Sequence, residues 1–120
     1  MTTSFVRPKP PYYAVIITTR PAADLEGYAA MSKRMAELGE TQPGYLGRES
    51  LTDEDGRDLV VIYYADEAAI TAWKAHPEHL EAQRLGRERW YSSYSVEVAR
   101  VERAYAFSRE EEESRVPDEA

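Results

Sequence analysis

Four apolar stretches rich in β-branched and aromatic residues alternate with amphipathic stretches in the order β-α-β-β-α-β. That order predicts a single α+β domain with an antiparallel four-stranded sheet, the split βαβ arrangement of ferredoxin-like folds. A chain of 120 residues with 42% hydrophobic content supports one core and not two. The third observation is a final strand too long for so small a sheet, which points to a second copy of the chain.

Each element follows from local chemistry. Pro8, Pro10 and Pro11 fix φ and remove backbone donors, so residues 1–11 read as an extended arm that Phe5 and Val6 can pin to a surface. Tyr12–Thr19 shows almost no polar alternation and suits a central strand buried on both sides. From about Asp24 to Glu40, Leu25, Tyr28, Ser32, Met35 and Leu38 recur at spacings of three and four, as on an amphipathic helix. Gly39 and the Pro43-Gly44 pair close it. Tyr45–Leu51 alternates with polar residues and reads as a more exposed strand. It joins the apolar run Leu59–Tyr64 through a turn at Thr52–Arg57. Asp66 is placed to cap a second helix carrying Ile70 and Trp73, and Pro77 restarts the chain as a further helix to about Trp90 or Tyr91.

The last strand is read as Tyr94–Phe107, more than twice the usual ~5–6 residues. Tyr94, Val96 and Val98 are apolar on one parity, whereas Ala99, Val101, Tyr105 and Phe107 are apolar on the other. Strands have period two, so the switch predicts a β-bulge at Val98-Ala99. A homodimer through Val98–Phe107 covers the strand that would otherwise stand open. The domain then spans residues 12–107. Residues 108–120, with six acids and two arginines, carry −4 of the net charge of −7 and read as a disordered acidic tail.

Composition narrows the function classes. Outside its tail the chain is only mildly acidic and lacks the basic footprint of a nucleic-acid binder. No apolar run approaches the ~18 residues of a membrane span, and no secretory h-region is visible near the N-terminus. Without cysteine, disulfides, thiolate metal sites and cysteine nucleophiles are excluded. A cytoplasmic protein is expected.

The block Ala72–Tyr94 (AWKAHPEHLEAQRLGRERWYSSY), the run Val98–Phe107 (VARVERAYAF) and the turn Gln42–Gly47 (QPGYLG) together resemble the antibiotic-biosynthesis-monooxygenase family. The likeness spans about Tyr12 to Phe107. It implies a dimeric α+β barrel in which two sheets face each other, each subunit keeping a pocket between sheet and helices. Members include cofactor-independent oxygenases of polyketide quinols, quinol oxygenases, heme-degrading enzymes and proteins without a known reaction, so the fold alone does not settle function.

By this resemblance Trp73 matches the helix tryptophan set over the substrate pocket, although an indole one turn after Ile70 equally fits ordinary core. The heme-degrading members carry a first-strand asparagine and a histidine ten residues after the tryptophan. Here the strand offers Thr18 and Thr19, and position 83 is a glutamine, a poor iron ligand. His76 and His79 are the only imidazoles. Separated by Pro77 and Glu78, they make an unconvincing metal pair; one suits a helix-junction cap and the other a pocket wall, with His79 the better general base. The same face continues through Gln83, Arg87, Trp90, Tyr91 and Tyr94 at steps of three or four, and Tyr64 supplies a further phenol. Arg87 can hold an enolate or phenolate, or pair with a neighbouring acid.

Two functions fit. One is a cofactor-independent monooxygenase in which Trp73, His79 and Arg87 act on a small aromatic phenol or quinol, needing neither metal nor flavin. The other is a non-catalytic binding or assembly protein on the same dimer.

Overall fold

The computed structural model describes residues 6–109. Phe5, the acidic run from Glu110 to Glu113 and the tail after it lie outside the described residues. The elements are β1 (Tyr12–Pro21), α1 (Tyr28–Glu40), β2 (Tyr45–Thr52), β3 (Asp58–Tyr64), α2 (Glu67–Lys74), α3 (Pro77–Leu85), a π-helical turn (Gly86–Trp90) and β4 (Tyr91–Val101). The strands form one antiparallel sheet in the order β2-β3-β1-β4, which puts the apolar β1 inside and gives the ferredoxin-like α+β fold. No helix among the described residues is long and apolar enough to cross a membrane.

Local chemistry sets the boundaries. The first helix starts at Tyr28, not near Asp24, because Gly27 enters at φ 84° and Asp24 instead accepts a hydrogen bond from the Glu26 backbone N–H in the preceding turn. Asp66 caps α2 by accepting from the Ala69 N–H at 2.8 Å. Pro77 opens α3 at its first helical position, where the missing N–H has no partner to lose. In the β2–β3 hairpin, Asp53 accepts from the N–H groups of Asp55 and Arg57, and Gly56 takes the left-handed position at φ 84°.

The sheet is apolar on both faces. Toward the helices, Val15, Tyr64 and Trp73 are buried with Ile17, Met35, Leu38, Ile62 and Ile70 around them. On the opposite face Tyr12, Ala14 and Tyr63 are buried against Ile16, Val61 and Val101. This corrects the expected bulge at Val98-Ala99. Val98 pairs with Val15 and Ala99 with Ala14 in unbroken register, so the parity switch marks β4 contributing first to one apolar face and then to the other. The irregularity in this pairing falls between Arg20 and Pro21, where Ser93 and Tyr91 are the partners. The final strand is also shorter than expected, ending at Val101; residues 102–108 continue without strand pairing. The arm reaches the helix-free face, with the Arg7 guanidinium 5.4 Å from the Tyr63 ring centre and 3.4 Å from Glu49.

Candidate functional site

Between the sheet and helices α1 and α3 lies a cavity of about 350 Å³ with a predominantly apolar wall. Its floor is the helix-facing row of the sheet, Val15, Ile17 and Thr19 of β1 beside Val60 and Ile62 of β3. Tyr94, Val96 and Val98 of β4 line one side and stay 45–51% exposed, because no helix covers that edge strand. A smaller lobe of about 70 Å³ adjoins it, lined by residues that include Tyr45, Arg48, Tyr64, Trp73 and His79.

One end is built by the α2–α3 corner. The last turn of any helix leaves carbonyls without helical partners. At the end of α2 side chains of α3 reach two of the last carbonyls: His79 Nδ1 lies 3.0 Å from the Trp73 carbonyl, which also accepts from the His76 N–H at 3.1 Å, and Gln83 Nε2 donates to the Lys74 carbonyl at 2.9 Å. A carbonyl only accepts, so the His79 proton sits on Nδ1 and leaves the Nε2 lone pair free. The His79 ring also stacks on the Trp73 indole, centroids 4.2 Å apart and planes 14° apart. Burial pushes the His79 pKa below the ordinary histidine value, a shift the carbonyl bond opposes in part. The imidazole is therefore neutral near pH 7.

The tyrosines are held neutral as well. Burial pushes the Tyr64 phenol up to about 12. Burial, then a hydrogen bond with Tyr28, raises Tyr91 far above the ordinary phenol range, with the Asp58 charge adding to it. These groups hydrogen-bond as phenols and do not act as bases. At this second end Tyr28 packs edge-on against both Trp90 and Tyr91, at 5.6 and 5.8 Å. Trp90 is anchored by donating from Nε1 to the Glu26 carbonyl at 2.9 Å. Gly86 opens the π turn because a Cβ there would stand 2.8 Å from the Tyr91 ring.

The structure thus brings Trp73, His79, Gln83, Tyr64, Trp90, Tyr91 and Tyr94 to one cavity wall. His76 lies outside that wall: it is the N-cap of α3, its Nδ1 accepting from the Glu78 N–H at 3.2 Å. Arg87 is exposed in the π turn, outside the wall, and has no ion pair among the described residues. A regular helical step from Gln83 would bring Arg87 onto the same face, but the backbone bond from the Tyr91 N–H to the Gly86 carbonyl spans five residues, and that wider turn directs Trp90 and Tyr91 inward instead. Arg48, Asp58 and Lys74 also line the cavity, and sequence reasoning missed all three. For Arg48 the available signal was its place in the polar alternation of β2, which reads as solvent exposure. Among the described residues no three of His, Asp and Glu gather closely enough to hold a metal.

The comparisons with known proteins agree with this architecture. The uncharacterized protein YqjZ of Bacillus subtilis (strain 168) is 44% identical over 100 residues, covering 83% of this chain and 88% of its own length. The solved structure of SnoaB, a cofactor-independent oxygenase from Streptomyces nogalater, superposes with a TM-score of 0.67 at 14% identity, covering 79% of this chain and 97% of that one. Rv0793 from Mycobacterium tuberculosis superposes with a TM-score of 0.65 at 18% identity, covering 73% and 92%. At such identities these two likenesses concern the fold alone. Residues 12–85 match the family model described as antibiotic biosynthesis monooxygenase, and with the YqjZ likeness this shows that the chain belongs to the antibiotic biosynthesis monooxygenase family.

Proposed function

We propose that the protein is a cofactor-independent monooxygenase of a small aromatic phenol or quinol, bound in the cavity between sheet and helices. The observation that carries this reading is the neutral His79 imidazole, fixed in one tautomer by the Trp73 carbonyl and stacked on the indole at the cavity wall. A phenol ring lying in the apolar chamber loses its proton to His79 Nε2. The resulting anion is rich enough in electrons to pass one to O2, and the radical pair closes a C–O bond. Loss of water, with His79 returning its proton to the departing hydroxide, then leaves a quinone. The phenol's O–H and one ring C–H supply the two hydrogens of H2O, and O2 supplies the new carbonyl oxygen and the oxygen of the water. The chain's own part is to position the ring, accept the proton and keep bulk water out, with neutral phenols such as Tyr64 donating hydrogen bonds to the developing oxyanion. Arg87 has no role in this scheme, since it stands outside the cavity.

An oxygen electrode and a panel of anthrone-like and naphthoquinol-like compounds test the proposal. Expected is uptake of one O2 per substrate, with His79→Ala slower by about 10²-fold or more, the usual worth of a positioned base. Trp73→Ala is expected to lose uptake too; melting temperatures recorded alongside separate lost chemistry from lost core. Ligands that raise the melting temperature without oxygen uptake anywhere in the panel replace this reading with a non-catalytic binding protein.

A homodimer and a cytoplasmic location belong to the same proposal. The helix-free face supports the dimer: it ends in exposed Leu51 and Leu59, and the segment after β4 exposes Tyr105 and Phe107 at 56% and 57%. A partner sheet laid on that face, with residues 98–107 reaching across, covers all four.

A further inference from the structure

Arg48 stands out among the arginines of the described residues. Arg7, Arg34, Arg57, Arg84 and Arg100 each meet a carboxylate within 4 Å, whereas Arg48 meets none. Other arginines without an acid, such as Arg87, are exposed; Arg48 is half-buried and lines both the main cavity and its lobe. A cation withdrawn from water without a counter-charge is costly, in a chain whose acids outnumber its basic residues 22 to 15.

The backbone takes a specific step to put it there. In β2, Tyr45 pairs with Tyr64 and Gly47 with Tyr63, so Leu46 is one residue too many. Without that bulge, Tyr45 and Arg48, three apart, would point to opposite faces. With it, Tyr45 lies opposite Tyr64 and Arg48 opposite Ile62, all on the cavity side. Re-aiming a side chain into a site is a recurrent use of bulges. The lobe so formed has a guanidinium, two phenols and the His79 imidazole in its wall and no carboxylate. The carboxylate that does line the main cavity, Asp58, is four residues along β3 from Ile62, about 13 Å away at ~3.3 Å per residue.

We propose that Arg48 is the anion anchor of the cavity and that the ligand is a planar aromatic carboxylate, its carboxylate held by the guanidinium fork in the lobe and its rings in the apolar chamber. The inference rests on the cavity being the binding site, as in the proposed function, but not on oxygen chemistry. It narrows the substrate class from any phenol to one bearing an acid group.

The test measures calorimetric binding of 2-naphthoate and 2-naphthamide, which share a ring system and differ in charge, to the full chain at pH 7.5. Expected is a preference for the carboxylate of at least about tenfold, the scale of charge-assisted hydrogen bonds. Arg48→Met is expected to bring the two ligands to parity, mainly by weakening naphthoate, and Arg48→Lys to keep part of the preference, having the charge without the fork. If Arg48→Met does not fold by circular dichroism, Arg48→Gln takes its place with the same expected outcome. Equal or tighter binding of the amide by the unmodified protein overturns the proposal, as does a preference that survives loss of the arginine, or no naphthoate binding up to millimolar concentration. Oxygen uptake is read separately on the anthrone-like and naphthoquinol-like panel: a carboxylate preference with no uptake anywhere in that panel sustains this inference and removes the monooxygenase reading.

Discussion

His79 gives the site a pH signature whose sign follows from its surroundings. Its pKa in the folded protein lies below the ordinary value of 6.5, so between those values the unfolded chain binds a proton that the folded protein does not. Stability therefore falls as pH drops below about 6.5, a window above that of the surface carboxylates Glu37, Glu78 and Glu81, whose own pKa values are lowered from 4.5. Denaturant melts at half-unit pH steps are expected to show this slope in the unmodified protein and a flatter one in His79→Gln. For catalysis the same shift predicts that kcat/KM holds at neutral pH and falls on the acid side with a midpoint below 6.5. Gly44 is a purely structural counterpart. At φ 86°, and with any Cβ at this position only 2.6 Å from the Ala69 Cβ, Gly44→Ala combines backbone strain with a clash. Its cost is expected at about 1–3 kcal/mol, read as a lowered melting temperature, with the cavity chemistry spared.

Helices α2 and α3 show how far elements can be read from a sequence. Asp66, Trp73 and Pro77 mark their helices, and the three-to-four periodicity that orders His79 and Gln83 holds because α3 stays regular to Leu85. Asp66→Ala is expected to destabilise by about 1 kcal/mol, since it removes the bond to the Ala69 N–H, and circular dichroism melts measure it. The periodicity fails wherever the backbone inserts a residue. The π turn after Leu85 carries Arg87 away from the cavity, and the bulge at Leu46 brings Arg48 into it. Neither event has a clear marker in composition, because each depends on which strand or ring stands opposite: Tyr63 and Tyr64 for the bulge, the Tyr91 ring above Gly86 for the turn. The cavity-lining residues of α3 follow the helical period, whereas those set by irregular backbone do not.

At the scale of the molecule, the sheet's two apolar faces divide the labour. One closes the cavity with α1 and α3, the latter two tied by the Arg34–Glu78 pair at 2.9 and 3.1 Å, and the other is available to a second copy. Light scattering coupled to size exclusion is expected to give twice the chain mass, and Tyr105→Ser with Phe107→Ser to shift the population toward monomer by at least about tenfold in dissociation constant, given the apolar area each ring withdraws from water. A monomer at micromolar concentration removes the dimer from the proposal.

The two bonds from His79 and Gln83 to the Trp73 and Lys74 carbonyls constrain how the site can diversify. The same two side chains line the chamber and finish the scaffold, so a change in reactivity at either position is paid for in helix integrity. New specificities in this lineage are then more accessible through Met31, Val60, Val96 and Val98, which line the cavity with no polar side-chain atom to satisfy. Directed evolution that randomises those four positions should yield folded variants far more often than a library at His79 and Gln83.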